Sequence, residues 1–273
     1  MQALCTRELS VTEPQNDLEE ALVQAATDPG SRPIFYKKLL ESEIIVLGFS
    51  NASGEGSRTA VEGEKLSIVN WEKSDGTKVI PFFTSISAVQ KILEEETRVV
   101  SLPARNFFEM TKGSTVYLNP KLDFGKEFFP HEIEALLETG VNHSLTQRIV
   151  EESTQIQLWQ SAGYPTEMVS ALTSLLSRHP VVKAAYLCMM QELTTDKVPT
   201  LLVGFEGEGS LELVMQEAGS VVADTAPRGM LVDFVEVTRE NSGASGYMFE
   251  SVEPFYRRSW GAKLWNLLRP GYA

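Results

Sequence analysis

Two cysteines and three histidines are the residues of this sequence that are best suited to nucleophilic or metal chemistry. A reactive cysteine needs a lowered thiol pKa, which a nearby cation or a helix N-terminus supplies. Cys188 lies instead in an apolar run with Glu192 just behind it, and Cys5 has only Arg7 as a nearby cation. We therefore predict that Cys188 is a buried structural residue and that neither cysteine is catalytic.

The histidines are not spaced as metal ligands. His131-Glu132 begins like the helical zinc motif, but Ala135 stands where that motif has its second histidine. His143 falls in a polar stretch, and His179 follows a predicted helix, where a histidine interacts favourably with the helix dipole. The sequence predicts no metal site and no catalytic constellation.

A glycine-rich stretch from 204 to 210 follows a predicted strand and opens a predicted helix, which is a place where backbone N–H groups bind anions. Glu206 and Glu208 lie inside it and no lysine follows it, so it does not resemble a phosphate-binding loop. The glycine spacing also differs from that of dinucleotide-binding turns. We predict a tight turn here, and no cofactor.

The C-terminal residues give the clearest sign of a binding surface. The chain has a formal net charge of -13, yet no acidic residue follows Glu253. Arginine and tryptophan, which are frequent there, dominate binding hot spots. Either the aromatic residues are core anchors among solvated cations, or the segment binds a partner protein or a second copy of the chain. The candidate interaction residues are Arg257, Arg258, Trp260, Lys263 and Trp265.

A second candidate surface lies in the first half of the sequence. Trp71, Phe82 and Phe83 flank or end predicted strands just before a predicted helix. If these aromatic side chains were exposed, they would form a binding groove. If they were buried, they would belong to the core, which is the favoured alternative.

The order of predicted elements indicates the fold class. Strands alternate with helices along the chain, which predicts an α/β protein of the mixed α+β kind, with helices packed on mixed β-sheets. A length of 273 residues favours two domains. We predict a loose N-terminal arm over 1–15, a first domain over 16–140, a polar linker over 141–153 and a second domain over 154–273.

Local signals predict individual elements. Ser74-Asp75-Gly76 predicts a hairpin turn, and Pro130 and Gly140 are typical of the two ends of a helix. Residues 50–63 hold almost no large apolar side chain and are predicted to form a surface loop. Pro254 is interpreted as the start of a final helix.

Composition and charge limit the classes of partner. The strongly acidic balance repels phosphate backbones and anionic lipid, which disfavours binding of nucleic acid or membrane by the surface as a whole. The N-terminus lacks a basic start followed by an apolar core, and no apolar stretch approaches the length of a membrane span. We expect a cytoplasmic protein.

Short motifs extend in a fixed order from about Asn16 to Trp260. They are Arg32-Pro33-Ile34-Phe35-Tyr36, Asn70-Trp71-Glu72-Lys73-Ser74-Asp75-Gly76-Thr77, Ile80-Pro81-Phe82-Phe83-Thr84-Ser85, Phe108-Glu109-Met110-Thr111, Leu118-Asn119-Pro120-Lys121-Leu122, Gly125-Lys126-Glu127-Phe128, Asp224-Thr225 and Pro254-Phe255-Tyr256-Arg257-Arg258. In this order they resemble the SseB family, bacterial proteins named for enhanced serine sensitivity. The resemblance covers both the N-terminal and the C-terminal domain of that family.

The resemblance implies a cytoplasmic bacterial protein, but it implies no activity, because the family is defined by a phenotype and has no established catalytic residues. The favoured function is a non-enzymatic interaction or regulatory protein. Its expected partner is another protein, for which an enzyme of serine or sulfur metabolism is a candidate. The alternative is a small-molecule binder or an enzyme that uses a pocket at the domain junction.

Overall fold

The structure is a computed structural model, and it describes residues 13–50, 66–93, 95–143, 156–160, 163–193, 198–239 and 243–258. These residues fall into two compact units, the first with 13–27 and 31–142 and the second with 28–30 and 143–258. Each unit has a mixed sheet with helices, which confirms the predicted fold class. The limits of the linker stay a prediction, because 144–155 lie outside the described residues.

The first unit alternates helices and strands from its beginning. Its helices are α1 (Asp17–Thr27), α2 (Arg32–Glu41), α3 (Ile86–Gln90), α4 (Ala104–Met110) and α5 (Pro130–Thr139). Its strands are β1 (Glu43–Ser50), β2 (Leu66–Ile68), β3 (Trp71–Glu72), β4 (Lys78–Phe83), β5 (Val99–Pro103), β6 (Val116–Leu118) and β7 (Lys126–Phe128).

The sheet of the first unit has the order β2-β1-β4-β6-β7, with β3 paired to β4 and β5 paired to β1. Strands β4 and β6 are parallel, whereas the other pairs are antiparallel. Thr84 directly follows β4 and Asn119 directly follows β6. Because the carboxyl ends of adjacent parallel strands meet at one edge, these two polar residues come together there.

One face of this sheet packs against a cluster of aromatic rings. The Phe82 ring lies 4.9 Å from that of Phe107 and 5.8 Å from that of Phe108, measured between centroids. Phe128 joins the cluster at 5.7 Å from Phe108. Phe83 points to the opposite face, where it packs with residues of β1 and α3. Both Phe82 and Phe83 are fully buried, so they belong to the core.

The second unit is built on a long central strand. Its helices are α6 (Thr166–Ser177), α7 (Glu212–Thr225) and α8 (Ala244–Ser251). Its strands are β8 (Ile156–Trp159), β9 (Val182–Glu192), β10 (Thr200–Gly207), β11 (Val232–Glu236) and β12 (Tyr256–Arg257). The sheet order is β11-β10-β9-β12, and β8 also pairs with β9. Strands β10 and β11 are parallel, and the other pairs are antiparallel.

The two faces of the second sheet bury different cores. On one face, side chains such as Ala185, Val203 and Phe205 pack together with residues of α6 and α7. On the other face, Cys188 packs with Met248 of α8. The alternation of side chains along β9 therefore sends successive residues into two separate apolar layers.

Tyr256–Arg257 form strand β12, so the prediction of a helix that starts at Pro254 is wrong. The Phe255 N–H donates to the Ala185 carbonyl at 2.9 Å, and the Arg258 N–H donates to the Lys183 carbonyl at 2.8 Å. Pro254 does fit a helix start, but these backbone bonds to the distant strand β9 decide the conformation. Helix α8 and strand β7 were not predicted from the sequence.

No helix among the described residues is long and apolar enough to cross a membrane.

Gly204 lies where Met248 of α8 packs closely against the second sheet. A Cβ atom at Gly204 would lie 2.3 Å from Met248 Sδ and 2.5 Å from Val237 Cγ2. We expect Gly204→Ala to lower the free energy of unfolding by about 1–3 kcal/mol, because valine is stiff and cannot yield without a backbone shift. Denaturant unfolding of the full chain measures this.

The matched control is Gly246→Ala within α8 itself, where a Cβ atom would meet nothing within 4 Å. This change should raise stability by roughly 0.5–1 kcal/mol, because alanine favours the helix over glycine. Equal effects of the two substitutions would contradict the packing of α8 on Gly204.

Candidate interaction surface

Arg257 lies in a row of residues that crosses three strands. It is opposite Ala184 of β9, which is opposite Glu206 of β10, so all three point to the same face of the sheet. Ala184 is buried and small, whereas Arg257 is exposed. The part of the chain that the structure describes offers Arg257 no ion pair.

Two aromatic residues and a second arginine lie beside this row and are connected to it by side-chain contacts. The Tyr186 hydroxyl donates to Glu206 Oε2 at 3.0 Å. The Tyr186 ring packs edge-on to Phe249 of α8, with centroids 5.9 Å apart. The guanidinium of the exposed Arg239 lies over the Phe249 ring, 5.3 Å from its centroid. We call Arg239, Arg257, Phe249, Tyr186 and Glu206 the basic aromatic face.

Both arginines affect the pKa of Tyr186. Burial raises the pKa of Tyr186 to about 12, and the hydrogen bond to Glu206 adds to the effect. Arg257 and Arg239 both oppose this rise, because a positive charge favours the phenolate. Tyr186 is thus neutral at physiological pH and keeps the proton that it donates to Glu206.

Arg258 has a structural contact rather than a free guanidinium. It is half-buried, and its Nη1 donates to the His179 carbonyl at 3.0 Å. His179 Nε2 in turn lies 2.8 Å from Glu217 Oε2. Of these two predicted interaction residues, Arg257 is exposed, whereas the guanidinium of Arg258 is engaged by a carbonyl of its own unit. The other predicted interaction residues, Trp260, Lys263 and Trp265, lie outside the described residues.

The second candidate surface does not form an aromatic groove. Phe82 and Phe83 are fully buried, which corrects the exposed alternative for both of them. Trp71 is half-buried, and its ring centroid lies 6.2 Å from that of Phe83. Lys121 Nζ covers the Trp71 ring at 5.2 Å from its centroid. These rings stabilise the sheet face and leave only part of Trp71 accessible.

A buried polar cluster connects α1 to the carboxyl ends of β4 and β6. Glu19 Oε1 accepts hydrogen bonds from the hydroxyls of Thr84 at 2.8 Å and Ser85 at 2.9 Å. Asn119 Oδ1 accepts from the Thr84 N–H at 3.1 Å, and Asn119 Nδ2 donates to the Thr84 hydroxyl at 3.2 Å. Asn119 adopts a φ of 48°, a left-handed conformation that asparagine tolerates.

This cluster borders a small pocket of 60 Å³, which Lys91 also lines. Its side chains already donate to and accept from one another, so the arrangement serves first to attach α1 to the sheet. Burial raises the pKa of Glu19, but the backbone N–H of Gln15 and the two hydroxyls lower it more, and the charge of Lys91 adds to this. The net result is a pKa below the usual value for glutamate.

The residues tested for chemistry have structural positions. Cys188 is fully buried, as predicted, and burial raises its pKa to about 11. Glu132 accepts from the Phe129 N–H at 3.0 Å and from Lys126 Nζ at 2.9 Å, which caps α5. Within the described ranges, no group of three or more histidine, cysteine, aspartate or glutamate residues is placed to hold a metal ion.

Sequence reasoning found Arg257 but missed Arg239, Phe249, Tyr186 and Glu206 as its neighbours. The alternation of side chains along β9 and β10 could have placed Tyr186 and Glu206 on one face. Phe249 gave no such signal, because it lies on the unpredicted helix α8, and Arg239, which follows β11, is identified only by its contact with the Phe249 ring.

The two units, each a mixed sheet covered by helices, define a two-domain α+β protein. The model of the SseB protein N-terminal domain matches residues 18–135, and that of the SseB protein C-terminal domain matches residues 150–258. The chain therefore belongs to the SseB family, as its motifs predict.

Similarity to individual proteins extends over nearly the full chain. The chain is 41% identical over 254 residues to Protein SseB of Escherichia coli (strain K12) and, to the same extent, to Protein SseB of Shigella flexneri. Each match covers 93% of this chain and 96% of the relative. No solved structure matches the chain.

Cys188 should react slowly with thiol reagents in the native protein. Since burial raises its pKa to about 11, almost none of it is thiolate near neutral pH. The measurement uses the Cys5→Ser variant, in which Cys188 is the one remaining thiol. Labelling should be slow in buffer and fast in denaturant. Fast labelling of the folded variant would contradict the buried position.

Glu19 should contribute to stability in a pH-dependent way. Because its folded-state pKa is lowered, its contribution is present above the unfolded pKa of about 4.3 and is lost as the pH falls through the lower folded value. Glu19→Gln should therefore destabilise the protein near neutral pH, and the difference from the wild type should narrow in acid.

Thermal unfolding at a series of pH values measures this difference. The control is Glu20→Gln, an exposed position on the same helix. A gap between the wild type and Glu19→Gln that stayed constant down to strongly acidic pH would contradict the proposed role of the carboxylate.

Proposed function

We propose that this protein is a non-enzymatic interaction or regulatory protein that binds another protein in the cytoplasm through its basic C-terminal segment. The observation that carries the proposal is Arg257, an exposed cation without an ion pair among the described residues of a chain with net charge -13. Local reversal of charge on an acidic surface is typical of electrostatic complementarity to a partner.

The position of Arg257 supports a specific contact. Strand β12 is held to β9 by backbone hydrogen bonds on both sides of Arg257, from Phe255 and from Arg258. The side chain of Arg258 adds a bond to the His179 carbonyl. A cation on such a fixed backbone loses less conformational entropy on binding than one on a loose tail.

The partner that we propose is a protein with an acidic surface. The net charge of the chain opposes nucleic acid and anionic lipid at long range, while one local contact can still attract carboxylates. An enzyme of serine or sulfur metabolism is the candidate that the family name suggests. Self-association is the other use of the segment that the sequence left open.

The experiment is affinity purification from the native host with the wild type and the Arg257→Glu variant in parallel. In about 0.1 M salt, the wild type should retain a partner that Arg257→Glu loses, because reversal of the charge turns attraction into repulsion. The partner should leave the wild type in about 1 M salt, where the Debye length is about 3 Å.

The matched control is Arg228→Glu, which changes an exposed arginine of the same unit in the turn between α7 and β11. It should retain the partner, and both variants should keep the thermal stability of the wild type. Retention of every partner by Arg257→Glu would reject the proposal. Arg258→Glu is unsuitable as a test, since loss of the contact with His179 should itself destabilise the protein.

A further inference from the structure

On the basis of the proposed function, we propose that the basic aromatic face recognises an acidic polypeptide segment. Arg239 and Arg257 bind carboxylates of the partner, and the half-buried Phe249 contacts an apolar side chain beside them. A second arginine, an aromatic contact and the chemical class of the partner are thereby added to the contact that the C-terminal segment alone provides.

A small residue separates the charges of the cross-strand row. Arg257 and Glu206 stand on either side of Ala184, which is itself buried. Glu206 accepts its hydrogen bond from Tyr186, a neighbour within the sheet. The carboxylate is thus held by a neutral donor, and the guanidinium of Arg257 is not drawn into a pair with it.

Arg239 is held by an aromatic ring. Its guanidinium lies over the Phe249 ring, so the ring fixes one face of the plane. The N–H groups of a guanidinium lie in that plane and point outward from its edge, which leaves them free for bidentate contact with a carboxylate. Phe249 in turn packs edge-on to Tyr186, which connects Arg239 to the row that contains Arg257.

The charges of this face exclude two other occupants. A second copy related by a two-fold axis through the same face would place arginines against arginines, which is repulsive. Nucleic acid would bring a dense line of phosphates to a chain of net charge -13, whereas a short acidic segment brings only a few carboxylates, which two guanidiniums can match. An acidic segment of a different protein satisfies the two guanidiniums and still leaves Glu206 with Tyr186.

The test uses the full chain and a defined probe, the capped peptide Glu-Glu-Phe-Glu-Glu, titrated calorimetrically in about 0.1 M salt. The control probe is the peptide with glutamine in place of each glutamate. We expect the glutamate peptide to bind at least about tenfold more tightly. Arg239→Ala and Arg257→Ala should each weaken its binding about three- to tenfold, and Arg228→Ala should not change it.

Glu206→Gln gives a result that simple loss of structure would not give. Glutamine keeps an oxygen that accepts from Tyr186, but it removes a negative charge from the site. Binding of the glutamate peptide should therefore become tighter by about two- to fivefold, with thermal stability unchanged. This gain would come from the site's charge alone.

Three results would overturn the inference: no binding of the glutamate peptide, unchanged binding in both arginine variants, or tighter binding of a single-stranded oligonucleotide. If the peptide fails while Arg257→Glu still loses its native partner, carboxylate recognition is rejected and the proposed function stands. If Arg257→Glu keeps every partner as well, both proposals fall together.

Discussion

The second unit depends on the backbone pairing of β9. Strands β8, β10 and β12 all hydrogen-bond to it, so its residues organise both faces of the sheet and both of its sides. Alternation along β9 sends Ala185 to the layer under α6 and α7 and sends Tyr186 to the layer under α8. The site follows from this strand, because β9 also fixes where Arg257 lies.

In the first unit, hydrogen bonds between polar residues attach a helix to the sheet. Its parallel pair, β4 and β6, ends in Thr84 and Asn119, whose amide and hydroxyl groups bond to each other. Glu19 completes the arrangement from α1. Partial burial of a carboxylate is costly unless it accepts several hydrogen bonds, and the half-buried Glu19 does so, with the result that its pKa falls rather than rises. Desolvation is thereby outweighed by local donors, and the cluster fixes α1 on the sheet.

Local sequence signals predicted those elements whose conformation depends on residues close to them in the chain. The helix from Thr166 to Ser177 has the apolar spacing of an amphipathic helix, and the buried position of Cys188 follows from its apolar strand. Strand β12 could not be predicted in this way, because its two residues owe their conformation to a strand about seventy positions earlier in the chain. The candidate site shows the same difference: Arg257 stands out by local charge, whereas Arg239 is linked to the site only by the contact of its guanidinium with Phe249 of α8.

In the proposed complex, the contrast between the basic aromatic face and the net negative charge of the chain would select the orientation of an acidic partner. At about 0.1 M salt the Debye length is about 10 Å, so the bulk of the net charge is screened at that range while contacts of a few ångströms are not. An acidic partner that approaches any other surface gains no such contact and meets like charges. One that places carboxylates at Arg239 and Arg257 gains charge-assisted hydrogen bonds. In that complex the surrounding negative charge would disfavour incorrect orientations, and the two arginines would determine the correct one.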